Sequence, residues 1–227
     1  MGLPLVLGSG SPRRRELLTR AGIAFEVRPA DIDEVAEIGE EPAALALRLA
    51  REKALAVATL VGAPPRRLVL GADTIVVIDG DVLGKPTDSE DAVRLLGRLV
   101  GREHRVLTAV AVVASDRTDR AATCVVTSRV TMRAATEVEI RRYVATGEPL
   151  DKAGAYAAQG EGRRFIERID GSETNVIGLP IDETLALLRA SGMRTTATDD
   201  GTTRRLCRAR SHRASRWAPS SGSRAEV

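Results

Sequence analysis

Residues 9–15 of this chain, Ser-Gly-Ser-Pro-Arg-Arg-Arg, combine hydroxyl and guanidinium groups at the start of a helical pattern. Ser11 is placed to cap that helix and Pro12 to occupy its first position. Three cations in a first turn are unfavourable, because the positive end of the helix dipole repels them. Free backbone N–H groups, hydroxyls and guanidinium forks together favour a phosphate, although pairing of the arginines with acids such as Glu16 is the alternative. The predicted phosphate ligands are Ser9, Ser11, Arg13 and Arg14.

A single carboxylate, Asp73, interrupts an apolar run over residues 68–78 that otherwise has the pattern of a buried strand. Burying an ionised carboxylate without a partner costs several kcal/mol, so Asp73 needs a cation, a metal ion, strong donors or a position at a cleft. We therefore predict Asp73 as the catalytic residue; an aspartate at a strand end, bonded to backbone, is the alternative. Thr74 should point to the opposite face, unless a bulge turns both residues toward a ligand.

Four more residues carry weaker indications. Glu34 ends the acidic cluster at 31–34, which could add a carboxylate to a magnesium ion held with phosphate oxygens, or could be a solvated loop. Lys53 lies in a helical pattern and Lys85 in a loop, positions at which exposed lysines are the default. Gln159 lies in the small-residue loop 151–160, which lets backbone approach a ligand, and its amide could pair with the edge of a base.

The elements that must position these residues alternate between strand-like runs and helical patterns. The predicted strands are 3–7, 25–28, 68–78, 106–114, 123–132 and 164–169. The predicted helices are 12–21, 42–61, 89–99, 137–145 and 181–190. Turn residues at 79–80 and 115–120 indicate two hairpins, so the sheet should contain parallel and antiparallel strands. The prediction is an α/β domain over 1–192, with a mixed β-sheet and flanking helices.

The composition excludes several classes of protein. With 227 residues, 43% of them hydrophobic and 29% charged, the chain can bury a core, which excludes global disorder, collagen and coiled coil. Its apolar runs are far shorter than the roughly 20 residues that cross a bilayer, and no signal-peptide pattern is present, so we expect a cytoplasmic protein without a membrane partner. The two cysteines, Cys124 and Cys207, lie in unlike contexts and indicate neither a disulfide framework nor a metal site.

The basic character of the chain belongs to its C-terminal segment. Residues 193–227 hold eight arginines and three acids, a balance of +5, whereas residues 1–192 have a balance of −2. The apolar periodicity stops at Gly192, so we predict a disordered, arginine-rich tail over 193–227. Its arginines around Trp217 could contact phosphates and bases, but the near-neutral remainder argues against a nucleic-acid partner for the protein as a whole.

Five motifs, taken in order and spacing, resemble the Maf family of nucleotide pyrophosphatases over residues 3–190. They are SGSPRR at 9–14, GADT at 71–74, GKP at 84–86, DKAGAY at 151–156 and GLP at 178–180. The resemblance implies a fold like that of the inosine triphosphate pyrophosphatases, with a cleft between two lobes and often a homodimer. It also implies hydrolysis of a nucleoside triphosphate to monophosphate and pyrophosphate, dependent on a divalent cation such as Mg²⁺ or Mn²⁺.

The resemblance also implies roles for individual residues. The family's catalytic aspartate, a proton acceptor, corresponds to Asp73, and its metal-binding acid to Glu34; in the implied mechanism the two share the metal ion. The implied phosphate-binding residues are Arg13, Arg14, Lys53 and Lys85. In the subgroup that acts on dTTP and UTP, three positions are linked to substrate choice, here Arg13, Thr74 and Gln159. The chain resembles that subgroup, and 7-methyl-GTP is the alternative substrate.

Two departures from the family pattern stand out. Ala157-Ala158 replaces the usual Gly-Ile before the glutamine, which could alter the base pocket, and Glu173 stands where an aromatic residue is common. The expected biological role is removal of non-standard or excess nucleotides. The alternative from another class is a nucleotide-binding regulator of septum formation and cell division that needs no turnover.

Overall fold

The computed structural model of the chain describes residues 4–194, in which a seven-stranded sheet is flanked by helices. The strands are β1 (Leu5–Leu7), β2 (Phe25–Val27), β3 (Leu68–Ile78), β4 (Asp81–Leu83), β5 (Glu103–Ala114), β6 (Arg117–Met132) and β7 (Ile166–Asp170). The α-helices are α1 (Pro12–Arg20), α2 (Pro42–Val61), α3 (Ser89–Leu99), α4 (Glu137–Val144), α5 (Glu173–Ile177) and α6 (Ile181–Ala190). The strand order is β2-β1-β3-β5-β6-β7, with β4 paired to β3. The predicted α/β fold is confirmed. The tail predicted over 193–227 lies outside the described residues from residue 195 onward.

The sheet is mixed, as the turn signals predicted. β1 pairs parallel with β2 and β3, whereas β3 pairs antiparallel with β4 and β5, and β5 with β6. The second hairpin is tighter than predicted, because Ala114 lies opposite Arg117 and β6 begins at Arg117 rather than at residue 123. The first residues of β6 are polar and mostly exposed, so they carry none of the apolar alternation on which the prediction depended.

A gap interrupts one side of β3. Its pairing with β1 ends where Leu7 lies opposite Leu70, and its pairing with β4 begins where Val76 lies opposite Leu83. Between these points, no strand of the described residues pairs with 71–75 on that side. The stretch that contains Asp73 is therefore an open edge within an otherwise central strand.

Helix α2 packs unusually close to β3. A Cβ at Gly71 would lie 2.2 Å from the carbonyl oxygen of Ala50 and 2.7 Å from the amide nitrogen of Ala54, so only glycine fits there. The alanines form a stripe one helical turn apart, which buries a smooth face against the sheet. This close contact places Lys53, on the neighbouring row of α2, beside Asp73.

The opposite face of the sheet is covered by the other helices. Helices α1 and α6 pack with β1 and β3, and helices α3 and α4 pack with β3, β5 and Phe165. Helix α5 was not predicted, because it has only five residues; Ser172 caps it by accepting a hydrogen bond from the amide of Asn175, and Gly178 with φ 131° ends it. No helix within residues 4–194 is long and apolar enough to span a membrane.

Candidate active site

A cleft of about 730 Å³ opens at the unpaired edge of β3. Its walls come from the loop after β1, the loop before α2, the loop after β4 and the segment 151–158, and a cavity of this size can hold a nucleotide. All but one of the predicted site residues line it. These are Ser9, Ser11, Arg13, Arg14, Glu34, Lys53, Asp73, Thr74 and Lys85.

Lys53 joins the two acids that were predicted to hold a metal ion. Its Nζ lies 2.7 Å from Oδ1 of Asp73 and 2.6 Å from Oε1 of Glu34. Lys53 is 7% exposed and Asp73 6%, so Lys53 is not the exposed helix lysine that its pattern alone favoured. The buried carboxylate therefore has the cation that its desolvation requires.

Glu34 approaches the same lysine from the loop between β2 and α2. Partial burial alone would raise the pKa of Glu34, but the hydrogen bond from Lys53 and the charges of Lys53, Lys85 and Arg14 hold that pKa below its usual value. The Nζ of Lys85 lies 4.0 Å from Oε2 of Glu34. Glu34 is therefore ionised near neutral pH and faces the cleft as a charged ligand.

Arg14 is held by the protein itself. Its Nε donates to the carbonyl oxygen of Gly178 at 2.9 Å, and its two terminal nitrogens donate to Oγ of Ser9 at 3.0 Å and Oγ1 of Thr74 at 3.2 Å. Burial lowers the pKa of the Arg14 guanidinium, an effect that the nearby Asp73 carboxylate opposes. Arg14 thus joins the loop after β1, the open edge of β3 and the end of α5.

Thr74 and Asp73 point to opposite faces of β3. The register of β3 with β5 is unbroken along this stretch, so no bulge turns both residues the same way. Asp73 contacts Lys53 on α2, whereas Oγ1 of Thr74 lies 3.0 Å from Oγ1 of Thr108 on β5. Both side chains still line the cleft, because it wraps around the open edge of the strand.

Further cations line the cleft nearer to solvent. Arg13 is partly exposed, and the side chain of Lys85 is 64% exposed. Lys152 also lines the cleft, and its Nζ lies 2.5 Å from both the carbonyl oxygen of Glu148 and Oδ1 of Asp151. Both residues belong to the DKAGAY motif, but neither Asp151 nor Lys152 was predicted as a site residue. The available signal was an acid and a lysine directly before the small residues Ala153-Gly154-Ala155.

Nearly the whole described part of the chain matches a known family. The model of the family described as Maf-like protein matches residues 4–191. The chain belongs to the Maf-like protein family. Its relatives include a "dTTP/UTP pyrophosphatase" of Anaeromyxobacter dehalogenans (strain 2CP-1 / ATCC BAA-258), 53% identical over 193 residues that cover 83% of this chain and 94% of the relative. A relative of the same name from Hahella chejuensis (strain KCTC 2396) is 48% identical over 190 residues, covering 84% and 93%. The resemblance stated from the motifs is confirmed.

Solved structures with related shapes are more distant. A HAM1 protein from Coxiella burnetii is 15% identical with a TM-score of 0.43, over 83% of this chain and 93% of that chain. A nucleoside-triphosphatase / dITP/XTP pyrophosphatase from Mycobacterium abscessus is 13% identical with a TM-score of 0.39, over 83% and 95%. Similarity at this level assigns no chemistry to the Maf-like chain.

The acids of this Maf-like protein can be tested for their fit to a divalent cation. The oxygens of Glu34 and Asp73 each lie within 2.7 Å of the Lys53 nitrogen, so they are at most twice that distance apart. Mg²⁺ prefers one or two carboxylates together with phosphate oxygens and water, so this pair has the donor chemistry of a magnesium site, and its two oxygens contact the Lys53 ammonium. Within residues 4–194, no group of three or more His, Cys, Asp or Glu could hold a metal ion. The remaining ligands would therefore have to come from substrate and water.

Gln159 is the one predicted site residue that does not line the cleft. The wall from this segment includes Ala157 and Ala158, and Gln159 is the next residue, partly exposed. The amide predicted to pair with a base is therefore adjacent to the wall rather than part of it.

Proposed function

We propose that this Maf-like protein hydrolyses nucleoside triphosphates to nucleoside monophosphates and pyrophosphate, with dTTP and UTP as preferred substrates. The observation that carries the proposal is the buried Lys53 ammonium, shared by Asp73 and Glu34 at the open edge of β3 in a cleft with further cations. The relatives named dTTP/UTP pyrophosphatase support both the reaction and the substrates.

The cations of the cleft suit the phosphates of such a substrate. A nucleoside triphosphate carries about four negative charges, so hydrolysis depends on neutralising them and on aligning water with the α-phosphorus. Arg13, Lys85 and Lys53 are the proposed donors to phosphate oxygens. Arg14, whose three nitrogens are already bonded within the protein, would contribute its positive charge and the shape of the loop that contains Ser9 and Ser11.

Asp73 is the proposed general base. Its carboxylate lies at the open edge of β3, 2.7 Å from the Lys53 nitrogen, and would accept a proton from the attacking water. Glu34 and Asp73 are the residues that would hold Mg²⁺ or Mn²⁺, and such an ion, when bound, neutralises phosphate charge and lowers the pKa of water. Lys53 would keep Glu34 and Asp73 close together.

The preference for dTTP and UTP is proposed from the same three residues that the family resemblance singled out. Arg13 and Thr74 line the cleft, and Gln159 follows its apolar wall. An amide can donate to and accept from the edge of a pyrimidine, so Gln159, beside the apolar wall, is the proposed partner of the base. The homodimer implied by the resemblance also stays a prediction, which the mass of the full chain in solution tests.

The experiment is an assay of pyrophosphate release by the full chain. The nucleotides are dTTP, UTP, dCTP, dGTP and 7-methyl-GTP, each with Mg²⁺, with Mn²⁺ and with a chelator. We expect the highest rates with dTTP and UTP and loss of activity with the chelator. Asp73→Asn should lower kcat by about a hundredfold or more, equivalent to about 2.7 kcal/mol, because it removes the base and a metal ligand.

A matched control separates chemistry from charge. Asp79→Asn makes the same substitution in the turn between β3 and β4, where the carboxylate lies 2.7 Å from Arg102 and outside the cleft. This variant should hydrolyse dTTP at the wild-type rate. Near-normal turnover by the Asp73 variant would refute the mechanism, a preference for 7-methyl-GTP would refute the substrate assignment, and nucleotide binding without pyrophosphate release would favour a regulator.

A further inference from the structure

One wall of the cleft is not formed by a strand of the sheet. Residues 148–165 form three short 3₁₀ turns, Glu148–Asp151, Ala153–Ala155 and Gly160–Phe165, joined by extended residues. Tyr156 to Ala158 of this segment line the cleft. No ladder of strand hydrogen bonds places these residues, so core packing and hydrogen bonds to individual side chains have that role.

Glu148 collects the hydrogen bonds that place this wall. Its Oε1 accepts from the hydroxyl of Tyr143 at 2.8 Å and from the amide of Gly162 at 2.9 Å, and its Oε2 accepts from the amide of Glu161 at 3.0 Å. The Tyr143 hydroxyl in turn accepts from the amide of Ala157 at 3.1 Å. One carboxylate therefore fixes both ends of the short stretch that contains Gln159.

The space around this carboxylate admits almost no other side chain. A Cβ at Gly160, whose φ is 76°, would lie 2.5 Å from Oε2 of Glu148. A Cβ at Gly162 would lie 2.5 Å from the Tyr143 hydroxyl and 2.6 Å from the carbonyl oxygen of Ala157. The ring of Tyr143 is fully buried, so the tyrosine is a rigid support. The Glu148 and Tyr143 side chains and the backbone at Gly160 and Gly162 therefore pack in a single arrangement.

We propose that Glu148 is a positioning residue that sets nucleotide selectivity: through Tyr143 and the amides of Glu161 and Gly162, it holds Ala157 and Gln159 where the base of the substrate binds. The inference rests on the proposed function. Ala157 and Ala158 add apolar surface to the cleft from a segment separate from Arg13, Lys53 and Lys85, and the base is the apolar end of a nucleotide. The phosphates are held elsewhere, so Glu148 should act on base discrimination rather than on turnover.

The ionised form of Glu148 is the one that the contacts require. Burial by itself would raise the pKa of Glu148, but the amides of Gly162 and Glu161 and the hydroxyl of Tyr143 hold that pKa below its usual value. Burial raises the pKa of Tyr143, so its hydroxyl remains a donor to the carboxylate. Hydrogen bonds to a charged acceptor are about twice as strong as neutral ones, which makes the charge of Glu148 the property to remove.

The test compares Glu148→Gln with Glu161→Gln in the full chain. Both changes remove one negative charge from the same segment, but the Glu161 side chain contacts only Arg164 at 3.6 Å among the contacts described, and its backbone amide is retained. Tyr143→Phe is a second variant, which keeps the ring and removes the link to Ala157. Two readouts are measured: backbone hydrogen exchange at residues 157–162, and the ratio of kcat/KM for dTTP to that for dCTP and dGTP.

We expect Glu148→Gln and Tyr143→Phe to raise exchange at Ala157 and, for Glu148→Gln, at Glu161 and Gly162, by about tenfold or more. The discrimination ratio should fall by about tenfold while kcat with dTTP stays within about threefold of wild type. Glu161→Gln should match wild type in both readouts. Faster exchange with unchanged discrimination, or equal effects of the two glutamate variants, would overturn the proposal. A wild-type chain that releases no pyrophosphate would overturn the proposed function, and the selectivity role with it.

Discussion

His104 offers a pH-dependent test of how the core beneath the cleft is built. It lies at the start of β5, is 2% exposed, and its Nε2 lies 2.8 Å from the hydroxyl of Tyr156, a residue that lines the cleft. The two rings meet edge to face, with centroids 5.4 Å apart. Within the described residues, its Nδ1 has no hydrogen-bond partner. Burial lowers the pKa of His104 from 6.5 to about 4.

The sign and size of the effect on stability follow from that pKa. His104 binds a proton near pH 6.5 in the unfolded chain and only near pH 4 in the folded chain. Its contribution to the free energy of unfolding, as a neutral, buried side chain, is therefore fully present above pH 6.5. It is lost progressively as the pH falls from 6.5 toward 4. Integrating the two titrations between pH 7 and pH 5 gives a loss of about 2 kcal/mol in the free energy of unfolding from this residue alone.

The assay is urea denaturation of wild type and His104→Gln at pH 7 and pH 5. The absolute stability of the variant is not the readout, because the substitution also changes packing. The readout is the difference between the two pH values, which should be about 2 kcal/mol larger in wild type. The other histidine, His212, is present in both proteins, so its titration cancels. Equal pH dependence in the two proteins would mean that His104 takes up its proton without cost in the folded state, which would refute this account of its burial.

Three other predictions address the charged cluster, the base and the tail. Lys53→Met should lower the free energy of unfolding by about 3–5 kcal/mol in urea denaturation, because two acids lose their cation. Asp73→Asn should lower it clearly less, because Glu34 still contacts the lysine. Equal losses in the two variants would contradict the shared pairing. Gln159→Ala should lower the ratio of kcat/KM for dTTP to that for dCTP by a larger factor than it raises the inhibition constant of pyrophosphate. A larger effect on the inhibition constant would assign the glutamine to the phosphates. Ending the chain after Arg194 should leave the melting temperature and the turnover unchanged, because the family match ends at residue 191 and the packing of Met193 on the core is kept. A lower melting temperature or a lower turnover would show that the tail contributes to stability or activity.

The regular elements were predictable because their information is local. Strand β3 and helices α2, α3 and α6 have the predicted bounds, since an apolar run or a helical periodicity continues over at least ten residues in each. Elements without such a pattern were missed or shortened. Helix α5 has five residues and depends on a serine cap and a glycine stop, and the first residues of β6 are polar because they lie on an exposed part of the strand.

Parts of the candidate site were also visible locally. Arginines clustered at a helix start oppose the helix dipole, and an acid within an apolar strand opposes burial. Each therefore predicts a ligand or a partner before the tertiary contacts are known. Arg13 and Asp73 are therefore predictable as site candidates from their own segments, and both line the cleft.

The partners of these residues were decided by tertiary structure. Asp73 meets Lys53 because Gly71 lets α2 pack close to β3, and Glu34 reaches the same lysine from a separate loop. Glu148 accepts hydrogen bonds from amides thirteen and fourteen residues further along the chain. No periodic sequence pattern predicts contacts of that kind. Sequence patterns report the burial preference of each residue, but whether a charge is paired, and with which group, depends on distances of a few ångströms between segments far apart in the chain. Those distances exist only once the elements have packed.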